Sequence, residues 1–217
     1  MEQETLFTAS KWDILKVLSS GSKSPIQLAK LSNTSVANIS QQLRLLEMAG
    51  LVQSKRISNR DKGQPRLLYS LVGNQSFLIT SASDFVEKKL LQLSEYNKVI
   101  LKIWFLDKPK IHYFLEKAFW SLDEHIGQIE SIFLNLSQLD SDEIPLFIVS
   151  ENQDLKRELK KSFIRARDGV SKTILFNIKS QSEAKRMISA SSTAKFYALY
   201  DPSNLVKVKT SEEAKTN

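Results

Sequence analysis

The chain of 217 residues has 31 Lys and Arg against 24 Asp and Glu, a net charge of +7, and it contains no cysteine. The lack of cysteine excludes disulfides and thiolate metal sites. The most apolar run, residues 99–106, is interrupted by Lys102 and is far shorter than the roughly 20 residues that span a bilayer. Because the first residues also lack the order of a secretory signal peptide, we expect an intracellular, cytoplasmic protein with no membrane partner.

The positive charge is concentrated near the N-terminus. The first 80 residues hold ten Lys and Arg but only five Asp and Glu. An excess of this sign is compatible with a polyanionic partner. With 41% hydrophobic residues, the chain can bury one large core or two modest ones. We favour two domains, with a nucleic-acid partner for the first.

Two helices are predicted at the start of this segment. The first runs from about Thr8 to Ser19 and ends near Gly21, with an apolar face that suits a supporting helix. Ser24 is suited to cap the second helix, and Pro25 is suited to its first position.

The third predicted helix follows a polar turn at residues 32–35. Its apolar residues recur at helical spacing: Val36, Ile39, Leu43 and Leu46. The polar residues outside that set are Asn38, Gln41, Gln42 and Arg44. Amides and guanidinium groups can form paired hydrogen bonds with adenine and guanine edges in a major groove, which is wide enough to admit a helix. This pattern predicts a DNA-binding helix-turn-helix, with Gln41 and Gln42 as the better candidates for base contacts.

Two strands, residues 51–57 and 66–71, are predicted after this helix. The loop between them is polar and basic and contains Gly63 and Pro65, which favours a hairpin. Its basic residues and those of the strands are candidates for phosphate contacts: Lys55, Arg56, Arg60, Lys62 and Arg66. Since Lys55 and Arg56 alternate in a strand, only one of them can face the DNA.

The order helix, helix, turn, helix, hairpin resembles the winged helix-turn-helix transcription regulators of the ArsR and MarR type. The resemblance is carried by residues 39–46, 49–56 and 68–71 and covers about the first third of the chain. It implies that the third helix enters the major groove, while the hairpin tip meets the DNA backbone or minor groove. The positions that it nominates are Asn38, Ser40, Gln41, Gln42 and Arg44 on the helix, with Arg60 and Lys62 at the tip. Ser35, just before the helix, is a further candidate for DNA contact. Metal-sensing cysteines of the ArsR type are absent, so we expect no metal site and no cofactor.

A long connecting helix is predicted from Phe85 to about Leu106, capped by Ser83 and Asp84. Its apolar residues alternate at spacings of four and three, as in a coiled coil with one polar position: Val86, Leu90, Leu93, Asn97, Ile100 and Trp104. Such a seam predicts a homodimer, whose two recognition helices would bind an inverted repeat. The alternative is that the stripe packs against the chain's own second domain.

The predicted organisation is a winged helix-turn-helix domain at 1–80, a connecting helix at 81–108, a small α/β domain at 109–206 and a tail at 207–217. The overall class is α+β. In the α/β domain we predict strands at 130–136, 144–150, 172–178 and 195–200, and helices at 111–126, 153–167 and 182–189. The basic residues of the helix at 153–167 form a solvated face or a second phosphate-contacting surface.

The C-terminal half also resembles a minimal nucleotidyltransferase fold that occurs beside winged helices in some archaeal proteins. The resemblance lies in the spacing of the elements and in residues 141–149. The chain lacks the Gly-Ser turn after the first strand and the two carboxylates, one residue apart, that two-metal chemistry needs. We therefore expect a catalytically inactive relative that serves as a sensor or interaction module for an unknown effector or protein.

No constellation in the sequence predicts a catalytic residue or a metal site. His112 and His125 are spaced unlike a metal pair, and the acidic residues Asp140, Asp142 and Glu143 fit a solvated turn. The first hypothesis is a dimeric, sequence-specific transcription regulator that binds double-stranded DNA. The alternatives are a DNA- or RNA-targeted nucleotidyltransferase-like enzyme and an interaction scaffold that does not bind DNA.

Overall fold

A computed structural model describes residues 9–57, 66–152, 154–191 and 196–206. The chain divides into two compact units, residues 1–94 and 95–217. Both units combine helices with strands, so the class is α+β, as predicted. Within the described ranges, no helix is long and apolar enough to cross a membrane.

The first unit consists of three helices followed by two hairpins. Its helices are α1 (Ala9–Leu18), α2 (Pro25–Leu31) and α3 (Val36–Met48), and its strands are β1 (Val52–Ile57), β2 (Arg66–Leu71), β3 (Gln75–Ser81) and β4 (Val86–Gln92). Strands β1 and β2 pair antiparallel, and so do β3 and β4. The structure thus confirms the predicted helix-turn-helix and the hairpin after it.

Side-chain caps explain where α2 and α3 begin. At α2, Ser24 Oγ accepts the Gln27 N–H at 3.3 Å, while Gln27 Oε1 accepts the Ser24 N–H at 2.9 Å. At α3, Ser35 Oγ accepts the Asn38 N–H at 3.1 Å. Each bond satisfies a backbone donor that has no partner within the helix. The turn between the helices uses Asn33 at a φ of 46°, a left-handed conformation that asparagine tolerates.

One apolar core joins the three helices to the first hairpin. Its buried members are Ile14, Leu18, Leu28, Ala29, Ile39, Leu43, Leu46 and Val52. A short backbone bridge adds to it: the Lys23 N–H donates to the Tyr69 carbonyl at 3.0 Å, and the Tyr69 N–H donates to the Lys23 carbonyl at 2.8 Å. The first hairpin is therefore fixed to the helices along its base.

The predicted connecting helix is wrong. Residues 86–92 form strand β4, and a helix begins only at Glu95. Val86 and Leu90 lie four residues apart, and this spacing places two side chains on one face of a strand as well as on one face of a helix. The predicted seam is divided between the two units, because Val86, Leu90 and Leu93 lie in the first unit, whereas Asn97, Ile100 and Trp104 lie in the second. The continuous coiled coil is therefore excluded, while a role of these residues in dimerisation stays a prediction.

The second unit is built around a five-stranded sheet. Its helices are α4 (Glu95–Trp104), α5 (Pro109–Trp120), α6 (Leu155–Glu158) and α7 (Gln181–Ala190), with short 3-10 turns at Asp123–Gln128 and Leu136–Gln138. Its strands are β5 (Ser131–Asn135), β6 (Glu143–Val149), β7 (Lys161–Arg165), β8 (Ser171–Lys179) and β9 (Phe196–Tyr200). The order across the sheet is β7-β8-β6-β5-β9, with β6 and β8 parallel and the other neighbours antiparallel. Four of these strands match the four predicted ones.

Both faces of the central strands are covered, as their nearly continuous apolar runs require. On one face, Ile132 and Ile148 belong to a cluster that includes Phe114 and Leu115 of α5. On the other face, Phe133 and Val149 cluster with Ala184 of α7. The predicted helix 182–189 corresponds to α7, whereas the helix predicted at 111–126 ends at Trp120.

The basic helix predicted at 153–167 is also wrong. It is replaced by the four-residue helix α6 and by strand β7, which pairs with β8. Ile164 is buried, while its neighbour Phe163 is 70% exposed, as alternation in a strand requires. The many charged residues concealed this alternation in the sequence. Lys156, Arg157, Lys160, Lys161, Arg165 and Arg167 therefore do not share one helical face.

Candidate DNA-binding surface

The outward side of α3 is defined by its buried residues. Ile39, Leu43 and Leu46 are buried in the core. The side opposite to them carries Ala37, Gln41, Arg44 and Met48, which recur at helical spacing and are all exposed. We call these four residues the α3 stripe. Within the described part of the chain, the side chains of Gln41 and Arg44 make no hydrogen bond or ion pair, so their donors and acceptors are available to a ligand.

Asn38 and Gln42 lie beside the α3 stripe and are bonded within the protein. Asn38 Nδ2 donates to Thr34 Oγ1 at 3.0 Å, and Gln42 Nε2 donates to Asn38 Oδ1 at 3.4 Å. Both side chains are partly buried, and Gln42 Oε1 is buried with no hydrogen-bond partner among the described residues. The chain Thr34–Asn38–Gln42 therefore holds these amides against the helix. Of the two glutamines proposed from the sequence, only Gln41 lies in the centre of the exposed side.

The two serines proposed as DNA contacts are engaged with the helix backbone. Ser35 Oγ caps α3, and Ser40 Oγ donates to the Val36 carbonyl at 2.8 Å. Both residues are exposed. Their hydroxyls stabilise the first turns of the helix, and their outer surface remains open to solvent.

The first hairpin separates the two basic neighbours of β1. Alternation places Arg56 on the same face as Ser54 and as Val52, which is buried in the core, whereas Lys55 lies on the opposite face. Both basic side chains are exposed. Arg60 and Lys62 lie outside the described residues, and Arg66 is the first residue of β2. Of Lys55 and Arg56, Arg56 is therefore the residue on the helix side of the hairpin.

A carboxylate holds this hairpin to α3. Glu47 Oε1 accepts the Ser54 N–H at 3.1 Å and the Ser54 hydroxyl at 2.7 Å. Burial, with a contribution from the negative charge of Glu47, raises the pKa of the nearby Tyr69 hydroxyl, which therefore stays neutral at physiological pH. Sequence patterns did not single out Thr34, Glu47 or Ser54, because their contacts join residues that carry no shared motif.

Two aspartates of the acidic turn, Asp140 and Asp142, are paired with lysines. Lys108 Nζ lies 2.7 Å from Asp140 Oδ1, and Lys172 Nζ lies 3.5 Å from Asp142 Oδ1. No group of three or more His, Asp or Glu side chains that could hold a metal ion occurs in the ranges that the structure describes. His112 Nε2 lies 2.9 Å from the Leu106 carbonyl oxygen, and His125 lies 4.0 Å from Glu158, so the two histidines have different partners.

A groove of about 400 Å³ lies between α7 and the sheet in the second unit. Its lining is mixed, with both amide and apolar side chains. The residues that line it are Asn135, Gln138, Phe147, Met187, Ala190, Ser191 and Phe196.

A family model matches the helical part of the first unit. Residues 10–54 match the family model described as "Bacterial regulatory protein, arsR family". The N-terminal part of the chain is an ArsR-like winged helix-turn-helix. The matched residues include α2, α3 and the start of β1, so the winged helix-turn-helix contains the α3 stripe. This match supports a DNA-binding transcription regulator.

One solved structure is similar to part of the chain. The structure of the C30AH42A mutant of Lactococcus lactis ZitR is 20% identical, covers 55% of this chain and 75% of that chain, and has a TM-score of 0.27. No curated protein matches the chain.

Proposed function

We propose that the protein is a sequence-specific transcription regulator that binds double-stranded DNA as a dimer on an inverted repeat. The observation that carries the proposal is the α3 stripe. Gln41 and Arg44 lie side by side in its centre, exposed and without hydrogen-bond partners among the described residues, on an ArsR-like winged helix-turn-helix. A glutamine suits paired hydrogen bonds with adenine and an arginine suits guanine, so the two side chains supply a means of distinguishing sequences.

The first hairpin adds a contact that does not depend on sequence. Arg56 lies on the helix side of this hairpin, and the bond between Glu47 and Ser54 holds the hairpin in place. A guanidinium at this position suits a phosphate oxygen beside the groove that receives α3. Phosphate contacts of this kind fix the orientation of the recognition helix on the duplex.

The second unit is proposed to act as a sensor or interaction module rather than as an enzyme. The groove beside α7 is the place where a small effector would bind. In the acidic loop, Asp140 and Asp142 pair with Lys108 and Lys172 instead of facing each other across a common site. This arrangement favours a structural role for the carboxylates over the nucleotidyltransferase chemistry that the sequence left open.

Selection of bound duplexes from a random pool, at low and at moderate salt, tests the proposal. We expect enrichment of an inverted repeat whose half-sites lie about one helical turn, roughly 10 base pairs, apart. Arg44→Ala should weaken or change the enriched half-site, because one good side-chain pair contributes about 1–3 kcal/mol of discrimination.

Arg186→Ala, in α7 of the second unit, is the matched control for Arg44→Ala. It removes the same charge and side chain, so it should leave the enriched sequence unchanged. A pool that shows no enrichment at either salt concentration contradicts sequence-specific binding.

A further inference from the structure

The second hairpin, β3–β4, exposes one face with four large apolar side chains, and Lys88 lies on the same face opposite Ile79. The antiparallel register aligns Phe77 with Leu90 and Ser81 with Val86, so their side chains lie on one face together with Ile79. Phe77, Ile79, Val86 and Leu90 are 56%, 51%, 74% and 43% exposed. Since a lone two-stranded hairpin is marginally stable in water, this hairpin would gain stability from a further strand.

The free edge of the hairpin is defined by its hydrogen bonds. The Ala82 N–H donates to the Phe85 carbonyl at 2.9 Å, and the Leu93 N–H donates to the Asn74 carbonyl at 2.8 Å. In an antiparallel ladder, bonded and non-bonded pairs alternate, so even-numbered residues of β3 bond to β4. The backbone N–H and C=O groups of the odd-numbered residues, from Gln75 to Ser81, point away from β4. In the part of the chain that the structure describes, no strand pairs with this edge.

The sequence of β3 is complementary to itself when it is read antiparallel. A two-fold axis at Leu78, the central residue, places Phe77 opposite Ile79 of the partner subunit and Ser76 opposite Thr80 of the partner subunit. Aromatic residues opposite β-branched ones, and hydroxyls opposite hydroxyls, are favourable pairs across strands. The outward groups of the odd-numbered residues also match in this register, because Phe77 and the partner's Ile79 form a hydrogen-bonded pair.

The charges distinguish the two edges of the hairpin. Strand β3 contains no charged residue, whereas β4 contains Glu87, Lys88 and Lys89. Lysines on an edge strand oppose pairing with another chain. The same symmetric pairing through β4 would place two Lys89 side chains opposite each other, which is unfavourable. The charges therefore favour the β3 edge over the β4 edge for pairing with a second copy.

We propose that two copies of the chain pair through their β3 strands into a four-stranded antiparallel sheet with its two-fold axis at Leu78. This proposal rests on the proposed function, because it names the contact that joins the two copies of the proposed dimer. The pairing forms at most about eight main-chain hydrogen bonds between the two β3 strands. A strand edge buries less than the roughly 1,200 Å² of a standard interface, so the pairing is weak in the free protein. Two half-sites on one duplex strengthen it by raising the local concentration.

Covalent trapping tests the pairing, because it detects a weak dimer. The chain has no cysteine, so Leu78→Cys introduces one thiol per copy. The two Cα atoms at the axis are expected about 4.5 Å apart, within the range of a disulfide. Lys89→Cys is the matched control, since Lys89 lies across from Leu78 on β4. Its two copies are expected about 14 Å apart, given strands spaced about 4.8 Å, which no disulfide spans.

Mild oxidation of the full chain should convert most of the Leu78→Cys protein to a disulfide-linked dimer and leave Lys89→Cys at the background level. Non-reducing electrophoresis measures both fractions. Equal cross-linking of the two variants, or none in either, overturns the pairing.

A second pair of variants tests the edge without a disulfide. Ile79→Pro removes an outward N–H from β3, which an edge strand tolerates, and Lys88→Pro does the same at the residue paired with Ile79 on β4. Circular dichroism checks that both variants fold. In titrations of the selected duplex, Ile79→Pro should occupy the two half-sites independently, while Lys88→Pro should keep the cooperative binding of two copies. Folded Ile79→Pro that binds as cooperatively as Lys88→Pro overturns the pairing.

These outcomes separate the pairing from the proposed function. A wild-type chain that binds the selected duplex as two copies, without preferential cross-linking at Leu78→Cys, refutes the β3 contact and leaves the regulator intact. Cross-linking at Leu78→Cys in a chain that binds no duplex supports the β3 contact and refutes the regulator.

Discussion

The two hairpins of the first unit have strands of similar length, but the first is attached to the helices and the second exposes an apolar face. Strands β1 and β2 are attached to the helices by buried Val52, by the Lys23–Tyr69 bridge and by the bond from Glu47 to Ser54. Strands β3 and β4 expose four large apolar side chains on one face. The comparison shows that contacts within its own chain stabilise the first hairpin, whereas the second hairpin leaves one apolar face exposed.

The largest expected effect is a loss of stability when a buried valine of the first hairpin is shortened to alanine. The same change at an exposed valine of the second hairpin should have little effect. Val52 is 2% exposed and Val86 is 74% exposed. Val52→Ala should lower the free energy of unfolding by about 2 kcal/mol, through lost burial and the cavity that is left. Val86→Ala should change it by less than about 0.5 kcal/mol. Urea denaturation followed by circular dichroism measures both values.

A Val86→Ala variant as destabilised as Val52→Ala would break the comparison. It would mean that the apolar face of the second hairpin is packed in solution rather than exposed to solvent.

A smaller effect, on the salt dependence of DNA binding, should distinguish the basic side chains on the two faces of the first hairpin. If Arg56 contacts a phosphate, Arg56→Ala should lower the slope of log affinity against log salt by about 0.9. Lys55→Ala, one residue away on the opposite face, should leave the slope nearly unchanged. Titration of labelled duplex at several salt concentrations gives both slopes. A larger change for Lys55→Ala would reverse the assignment of the face that meets DNA.

Local sequence signals predicted the helix-turn-helix because they act within a few residues. Ser24 caps α2 and Ser35 caps α3, and each hydroxyl accepts a bond from the backbone N–H three positions on, while Pro25 occupies the first position of α2. The second hairpin was missed for the opposite reason. Its spacing of four between Val86 and Leu90 fits a helix and a strand alike, and only pairing with β3 decides between them.

The candidate site was predictable as a set but not residue by residue. Gln41 and Gln42 both lie outside the apolar set of α3, so the sequence alone ranks them together. Their difference depends on Thr34 and Asn38, whose bonds hold Gln42 partly buried and leave Gln41 exposed. These contacts depend on the conformation of the turn before α3, which the spacing of apolar residues does not predict.

The most direct test of the central claim compares Gln41→Ala with Gln42→Ala on the selected duplex and on a scrambled duplex. If the α3 stripe contacts base edges, Gln41→Ala should lose about 1–3 kcal/mol on the selected duplex and much less on the scrambled one. Gln42→Ala should lose less discrimination, because its amide is held by Asn38. Equal losses of Gln41→Ala on both duplexes would contradict the account, since they would show that Gln41 does not distinguish bases.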